Sequence, residues 1–239
     1  MSETRAVTVY CASSLGGHPA YVHAANSLGK ALANSGRPLV YGGGSGGLMG
    51  VVSGSVLNTG GDVTGIVPYA MVAAGGEVDQ IKGERHGPSI VLQEKGRERV
   101  NNIIVNSMHE RKLELARRSC GFIGLPGGYG TFEEVLEVAS WSQLGIHEKP
   151  IIILNVLGFF NPLRDLIRNG VREGFIPAPN EALVWFIDGP EFEQHDAYDW
   201  GRVAIAALDS WKPSERTHYY DWTVKGAGQQ GRQDPLDAA

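Results

Sequence analysis

Short β-branched runs that end in glycine alternate along this chain with longer segments of helical period, and that alternation leaves few folds open. A strand, a helix and a second strand in the same direction form the βαβ unit, whose repetition builds a parallel sheet covered by helices on both faces. The runs place strands at about 6–11, 38–42, 62–67, 89–93, 120–125, 150–155 and 182–187. Helices are expected over about 19–35, 47–59, 95–118, 131–144, 160–173 and 191–211. The fold class is therefore α/β, a Rossmann-like three-layer sandwich with a mostly parallel sheet of about seven strands. Residues 1–211 read as one domain. Residues 212–239 read as a C-terminal tail, docked or mobile and without catalytic duty, because its second half is too polar and glycine-rich to bury much surface. The stretch from Tyr69 to Gly87 carries two glycine breaks and no sustained period, so an irregular excursion is expected there, a lid or a surface loop.

Charge and cysteine content exclude several function classes. A formal net charge of −5 offers no basic field to gather phosphates along a nucleic acid, so no nucleic-acid partner is expected. The two cysteines, Cys11 and Cys120, each adjoin an apolar strand-like run; they can build neither a disulfide framework nor a paired metal site and are expected as reduced, buried thiols. No stretch approaches the ~20 apolar residues of a membrane span, and the first residues lack the apolar core of a signal peptide. A soluble, cytoplasmic protein with no membrane partner is the expectation.

Thirty-three glycines are too many to be incidental, and they cluster where strands meet helices. The run Gly42-Gly43-Gly44-Ser45-Gly46-Gly47 follows an apolar strand and opens a helix, so free backbone N–H groups are expected at the helix start, an anion site. Gly42, Gly44 and Gly47 satisfy G-x-G-x-x-G, but a dinucleotide fold also wants an acid at the carboxyl end of the next strand, and Asp62 stands where that strand begins. No GK[ST] follows, which excludes a P-loop. The second cluster, Pro126-Gly127-Gly128-Tyr129-Gly130-Thr131, joins another strand to another helix. Two such turns at strand carboxyl ends define a crevice of the kind in which open parallel sheets bind ligands. Thr131 with Glu134 three residues on also reads as a capping box, a purely structural device.

Helical phasing weighs against the capping role. At 100° per residue, Val135, Val138, Ala139 and Trp141 fall on one side of the helix, and Glu134 falls between Trp141 and Val138, whereas Glu133 and Glu137 project away. An inward carboxylate needs a partner. In a continuous helix over 95–118, Val100, Ile104, Met108 and Leu115 form a stripe with Arg111 in its middle. Arg111 then pairs with Glu134, either as a structural bridge or as part of a site; a break near Ser107 would instead free Arg111 to face water. A buried pair adds little stability for its desolvation cost, which favours a functional role.

These residues also carry a resemblance. PGGYGTFEE from Pro126, MHERK from Met108, GGGSGGLMG from Gly42, CASS from Cys11, WSQLGIHEKP from Trp141 and GFI from Gly174 stand in the order seen in the LONELY GUY family of cytokinin-activating phosphoribohydrolases, and the similarity runs from about Arg5 to Trp211. The resemblance implies hydrolysis of cytokinin riboside 5′-monophosphates, with AMP as a further candidate substrate, in a homodimer with sites near the subunit interface and with no metal or redox cofactor. It implies Arg111 and Glu134 as catalytic residues. It implies substrate contacts from Ser13, Gly44, Ser45, Met108, Lys112, Gly127, Gly128, Tyr129, Gly130, Thr131 and Glu133, with Met108 lining the prenyl-bearing end of the base. This chain departs from the plant pattern NVDGYY with Asn155-Val156-Leu157-Gly158-Phe159-Phe160, and its Tyr69 to Gly87 stretch does not align with the usual connection.

Three other functions compete. A non-catalytic carrier resembling the molybdenum-cofactor carrier proteins would keep the glycine turns but need no acid in the crevice. A lysine decarboxylase, an older reading of such sequences, needs a lysine set apart for pyridoxal phosphate, and none stands out in an apolar setting. An NAD enzyme fails on the placement of Asp62.

Overall fold

The computed structural model describes residues 5–75, 96–213, 220–225 and 232–239. In chain order the regular elements are β1 (Val7–Tyr10), α1 (Pro19–Asn34), β2 (Leu39–Tyr41), α2 (Gly47–Asn58), β3 (Val63–Pro68), α3 (Tyr69–Gly75), β4 (Val100–Val105) and α4 (Met108–Arg117). They continue with β5 (Gly121–Gly124), α5 (Tyr129–Leu144), β6 (Ile151–Asn155), α6 (Asn161–Arg172), β7 (Trp185–Asp188) and α7 (Trp200–Ser210). The strands form one sheet in the order β4-β3-β2-β1-β5-β6-β7, every pairing parallel. Val7 is in register with Leu39 on one side and Gly121 on the other. Strand order therefore reverses at β1: the first four strands build outward one way and the last three the other. The seam between β1 and β5 is the topological switch point, where crossing loops diverge and leave a crevice.

Central strands that are covered on both faces read as unbroken apolar runs, and β1, β5 and β6 are buried along their whole length. The core lies in two layers. On one face Leu28, Leu32, Val52, Val56, Trp200 and Ala204 pack from α1, α2 and α7. On the other, Leu115, Val135, Val138 and Trp141 pack from α4 and α5, joined by Phe160 and by Leu236 from the C-terminal segment. That segment is tied to the far ends of the same helices: the Trp222 indole N–H donates to the Leu144 carbonyl at 2.8 Å, and Asp237 pairs with Arg117.

Several expectations are corrected. The segment expected as a helix over 95–118 is a strand followed by a helix. Val100, Ile103, Ile104 and Val105 are β-branched and pair with β3 as the edge strand, which leaves Ile104 exposed. The helix begins only at Ser107, whose hydroxyl accepts from the Glu110 N–H at 3.0 Å while the Glu110 carboxylate accepts from the Asn106 N–H at 2.7 Å. Residues 69–75, expected to be irregular, form the short helix α3; the remainder of that stretch and the strand expected at 89–93 lie outside the described residues. The helix expected over 191–211 is a 3₁₀ turn at Phe192–Gln194 followed by α7, which Asp199 caps by accepting from the Arg202 N–H at 3.0 Å. Cys11 is buried as expected, but Cys120 is partly exposed; both are free thiols.

Candidate active site

Three loops meet at the carboxyl end of the switch point. The loop after β1, Ala12 to Ser14, lies between the two glycine turns. On one side Gly47 presses against it so closely that a Cβ there would sit 2.2 Å from the Ser13 carbonyl carbon. On the other, the Ala12 N–H donates to the Pro126 carbonyl at 3.2 Å.

The two glycine turns then part company. At the start of α2 the Leu48 and Met49 N–H groups donate to the Ser14 and Ala12 carbonyls, both at 3.2 Å, so two of the donors expected at this helix start fasten α2 to the β1 loop, while the Gly46 and Gly47 N–H groups make no hydrogen bond to the described residues. Gly43 and Gly47 have φ of +81° and +58°, the left-handed region that favours glycine, which accounts for two of the glycines here. At α5 the cap is Gly128, with no side-chain bond to the first turn. The Tyr129, Gly130 and Thr131 N–H groups make no hydrogen bond to the described residues, and Tyr129 is 92% exposed. Open amides at the positive end of a 16-residue helix are chemically suited to hold an anion. The capping box expected from Thr131 and Glu134 is absent because the helix starts earlier, at Tyr129. Thr131 is buried beneath Gly127, whose missing side chain leaves room for its hydroxyl: a Cβ on Gly127 would lie 2.0 Å from Thr131 Oγ1.

One turn further along α5, Glu134 faces the sheet with only 8% of its surface exposed, and Arg111 reaches it from α4 at 9%. Arg111 Nη1 donates to Glu134 Oε1 at 2.6 Å and its Nε–H donates to the Ile66 carbonyl, in the carboxyl-terminal half of β3, at 3.3 Å. Arg111 thus reaches from β3 past Gly42, the first residue after β2, to Glu134. Glu134 Oε2 and Arg111 Nη2 make no hydrogen bond to the described residues. Burial pushes the Glu134 carboxyl above the ordinary carboxylate range; Arg111 pulls it down without cancelling that effect, and Glu133 and Glu137 add to the rise. Tyr10 on β1, stacked on Phe122, is likewise raised by burial and then by Glu134. Outside the pair, Lys112 donates to Glu133 and Glu137 at 2.6 and 2.8 Å, a second and wetter bridge between α4 and α5.

The structure brings the remaining residues singled out by sequence to the same edge of the sheet. Ser13, Gly44 and Ser45 lie in the loops after β1 and β2; Gly127, Gly128, Tyr129 and Gly130 surround the start of α5; Met108, 44% exposed, opens α4. Sequence reasoning missed the carbonyls of Ala12, Ser14 and Ile66, since a main-chain oxygen leaves no mark in residue type. It also missed the start of α4, for which a signal was present: Ser107-x-x-Glu110 directly after a β-branched run. Among the described residues no cluster of three or more His, Cys, Asp or Glu is placed to hold a metal, and no helix is long and apolar enough to cross a membrane.

Parallel strands doubly wound about a polar switch-point crevice put the chain among the Rossmann-like α/β proteins. The molybdenum cofactor binding protein of Rippkaea orientalis is similar in fold, with a TM-score of 0.54 at 18% identity over 88% of this chain and 100% of that one. Sequence carries the kinship further. A family model described as "Possible lysine decarboxylase" matches residues 49–193. The cytokinin riboside 5′-monophosphate phosphoribohydrolase LOG of Oryza sativa subsp. japonica is 46% identical over 183 residues, 77% of this chain and 68% of that protein. The enzyme of the same name, LOG5, from Arabidopsis thaliana is 40% identical over 217 residues, 90% of this chain and 87% of that protein. The chain belongs to the LONELY GUY family.

Proposed function

We propose that this protein hydrolyses the N-glycosidic bond of cytokinin riboside 5′-monophosphates, releasing the free base and ribose 5-phosphate. The observation that carries the reading is a buried arginine–glutamate pair with one carboxylate oxygen and one guanidinium nitrogen uncommitted among the described residues, one helical turn from a set of helix-start amides suited to an anion. The substrate phosphate rests on the Tyr129 to Thr131 amides, with the Thr131 hydroxyl, Gly127 and Gly128 beside it. Ser13, Gly44 and Ser45 close the crevice from the β1 and β2 side, Met108 lines the base, and Lys112 and Glu133 flank the nucleotide.

Cleavage of an N-glycoside develops positive charge on the ribose and negative charge on the departing base. Glu134 Oε2 orients and deprotonates the attacking water, whose oxygen bonds to C1′ as the C1′–N bond breaks and the departing base takes a proton from solvent, and it faces the oxocarbenium-like sugar in the manner of glycosidase carboxylates. Arg111 holds the other oxygen and turns Nη2 toward the substrate; as a guanidinium it acts as a fixed donor and not as a proton source. Raising the Glu134 carboxyl by burial brings it nearer to working pH, which suits a base.

A carrier of the same fold has no use for a buried ionised pair in its ligand crevice, which weighs against that alternative. The decarboxylase description needs a lysine free to form an imine, whereas Lys112, beside the crevice, is engaged by two carboxylates. A homodimer in the cytoplasm, with sites near the interface, completes the proposal; Leu136 and Leu144, exposed on α5, are available to such a contact. Incubating the purified protein with isopentenyladenosine 5′-monophosphate, AMP and the unphosphorylated riboside, and separating the products by chromatography, tests the reading. Free base is expected from monophosphates alone. Equal release from the riboside, or none from any of them, contradicts it.

A further inference from the structure

The first residue after β2 is a glycine whose backbone does not need one. Gly43 and Gly47 beside it have positive φ, but Gly42 does not, so alanine can adopt its conformation without strain. What fills its missing side-chain volume is Arg111: a Cβ on Gly42 would lie 2.2 Å from Nη2 and 3.4 Å from Cζ. The next nearest atom, Met49 Sδ, is at an ordinary 3.6 Å.

A clash with the end of a long side chain is usually relieved by swinging that end aside. Arg111 has no such freedom, because its Nε–H is held by the Ile66 carbonyl and its Nη1 by Glu134, and the guanidinium that joins them is planar. Shifting Nη2 by the ~1 Å that a methyl demands tilts the whole plane and disturbs both bonds, and a misplacement of that size in a reacting group can cost ~10²-fold in rate. Nη2 is also the nitrogen left without a partner among the described residues. We infer that Gly42 is a positioning residue: the gap left by its absent side chain seats the Arg111 guanidinium so that Nη1 holds Glu134 while Nη2 faces the substrate. The inference rests on the function proposed above and assigns the first glycine of the GGGSGG run to the ion pair and not to the phosphate.

The test is a double-mutant cycle between Gly42→Ala and Arg111→Lys, since lysine lacks the second terminal nitrogen that occupies the gap. With Arg111 present, Gly42→Ala is expected to lower kcat by ~10- to 100-fold with KM changed less than about threefold. With Lys at 111 the same alanine is expected to cost less than about threefold in residual kcat and to leave the melting temperature unchanged. Gly54→Ala, in α2, where the new methyl meets nothing within 4 Å from the other described residues beyond its own helix backbone and chain neighbours, serves as the control and keeps wild-type kcat. Should Gly42→Ala fail to fold with Arg111 but fold with Lys, the rescue supports the inference. Equal losses in both backgrounds, failure to fold in both, or wild-type kcat in Gly42→Ala overturns it. Full turnover in Glu134→Gln brings down the proposed function instead, and the melting-temperature cycle then still reports whether Gly42 acts through Arg111.

Discussion

The turns after β2 and β5 look alike in sequence, each a glycine cluster between an apolar strand and a helix, yet they differ in where their backbone donors go. The first gives its Leu48 and Met49 amides to the β1 loop and uses glycine for close approach, Gly47 against Ser13 and Gly42 against Arg111. The second leaves the Tyr129, Gly130 and Thr131 amides without a hydrogen bond to the described residues and buries the Thr131 side chain. A glycine-rich turn is therefore an anion site only where its N–H groups have nothing else to bind. In this chain the first turn commits its Leu48 and Met49 amides to a joint, although its Gly46 and Gly47 N–H groups make no hydrogen bond to the described residues. The second keeps its helix-start amides open as a cradle would, and the Arg111–Glu134 pair lies where they meet.

Removing that pair gives the largest expected effect. Glu134→Gln, which keeps the shape but not the carboxylate, should lose ~10²-fold or more in kcat with its melting temperature within a few degrees of wild type. Arg111→Ala should lose turnover by a similar ~10²-fold and should also move the acid limb of kcat/KM. The sign follows from the surroundings of Glu134. Burial already holds the carboxyl high, Arg111 is the group that lowers it, and Glu133 and Glu137 raise it. Without the guanidinium the carboxyl rises further, the ionised base is lost at a higher pH, and the limb shifts upward. A limb that moves down, or not at all, would separate Arg111 from Glu134.

A substitution in the joint should act on stability before binding. Gly47→Ala forces a left-handed backbone on alanine, at ~1–2 kcal/mol, and also drives a methyl into the Ser13 and Ser14 backbone. Denaturant unfolding should show a loss at least that large, with KM for the monophosphate nearly unchanged in the surviving protein. The cradle should show the reverse at smaller scale: Thr131→Ala, which breaks no helix cap, should raise KM for the monophosphate several-fold and shift the melting temperature little. A Thr131→Ala protein that loses stability without losing affinity would make the second turn a joint as well.

The alternation of runs was enough to read the parallel sheet, and helical phasing was enough to turn Glu134 inward, because burial on both faces and a 100° repeat leave direct marks in residue type. The phasing of Arg111 reached a correct pairing through an incorrect helix. Val100, Ile104 and Met108 repeat every four residues by coincidence, yet the first two belong to an edge strand and Met108 opens the following helix. Ser107 and Glu110 carried the boundary, and a break there buries Arg111 instead of freeing it. The different fates of the two glycine turns were not legible, since they depend on which carbonyls the β1 loop presents, and a carbonyl is the same on every residue. The exchange of Thr131 from cap to buried hydroxyl has the same origin: Gly128 takes the cap position three residues upstream.

The most direct test of the division between joint and cradle is a crystal structure of Glu134→Gln soaked with AMP. The phosphate is expected on the Tyr129, Gly130 and Thr131 amides, with the ribose C1′ facing the residue 134 side chain and Arg111 Nη2 within hydrogen-bonding reach of the nucleotide. A phosphate seated on the Leu48 and Met49 amides, or a ribose turned away from residue 134, would contradict the account.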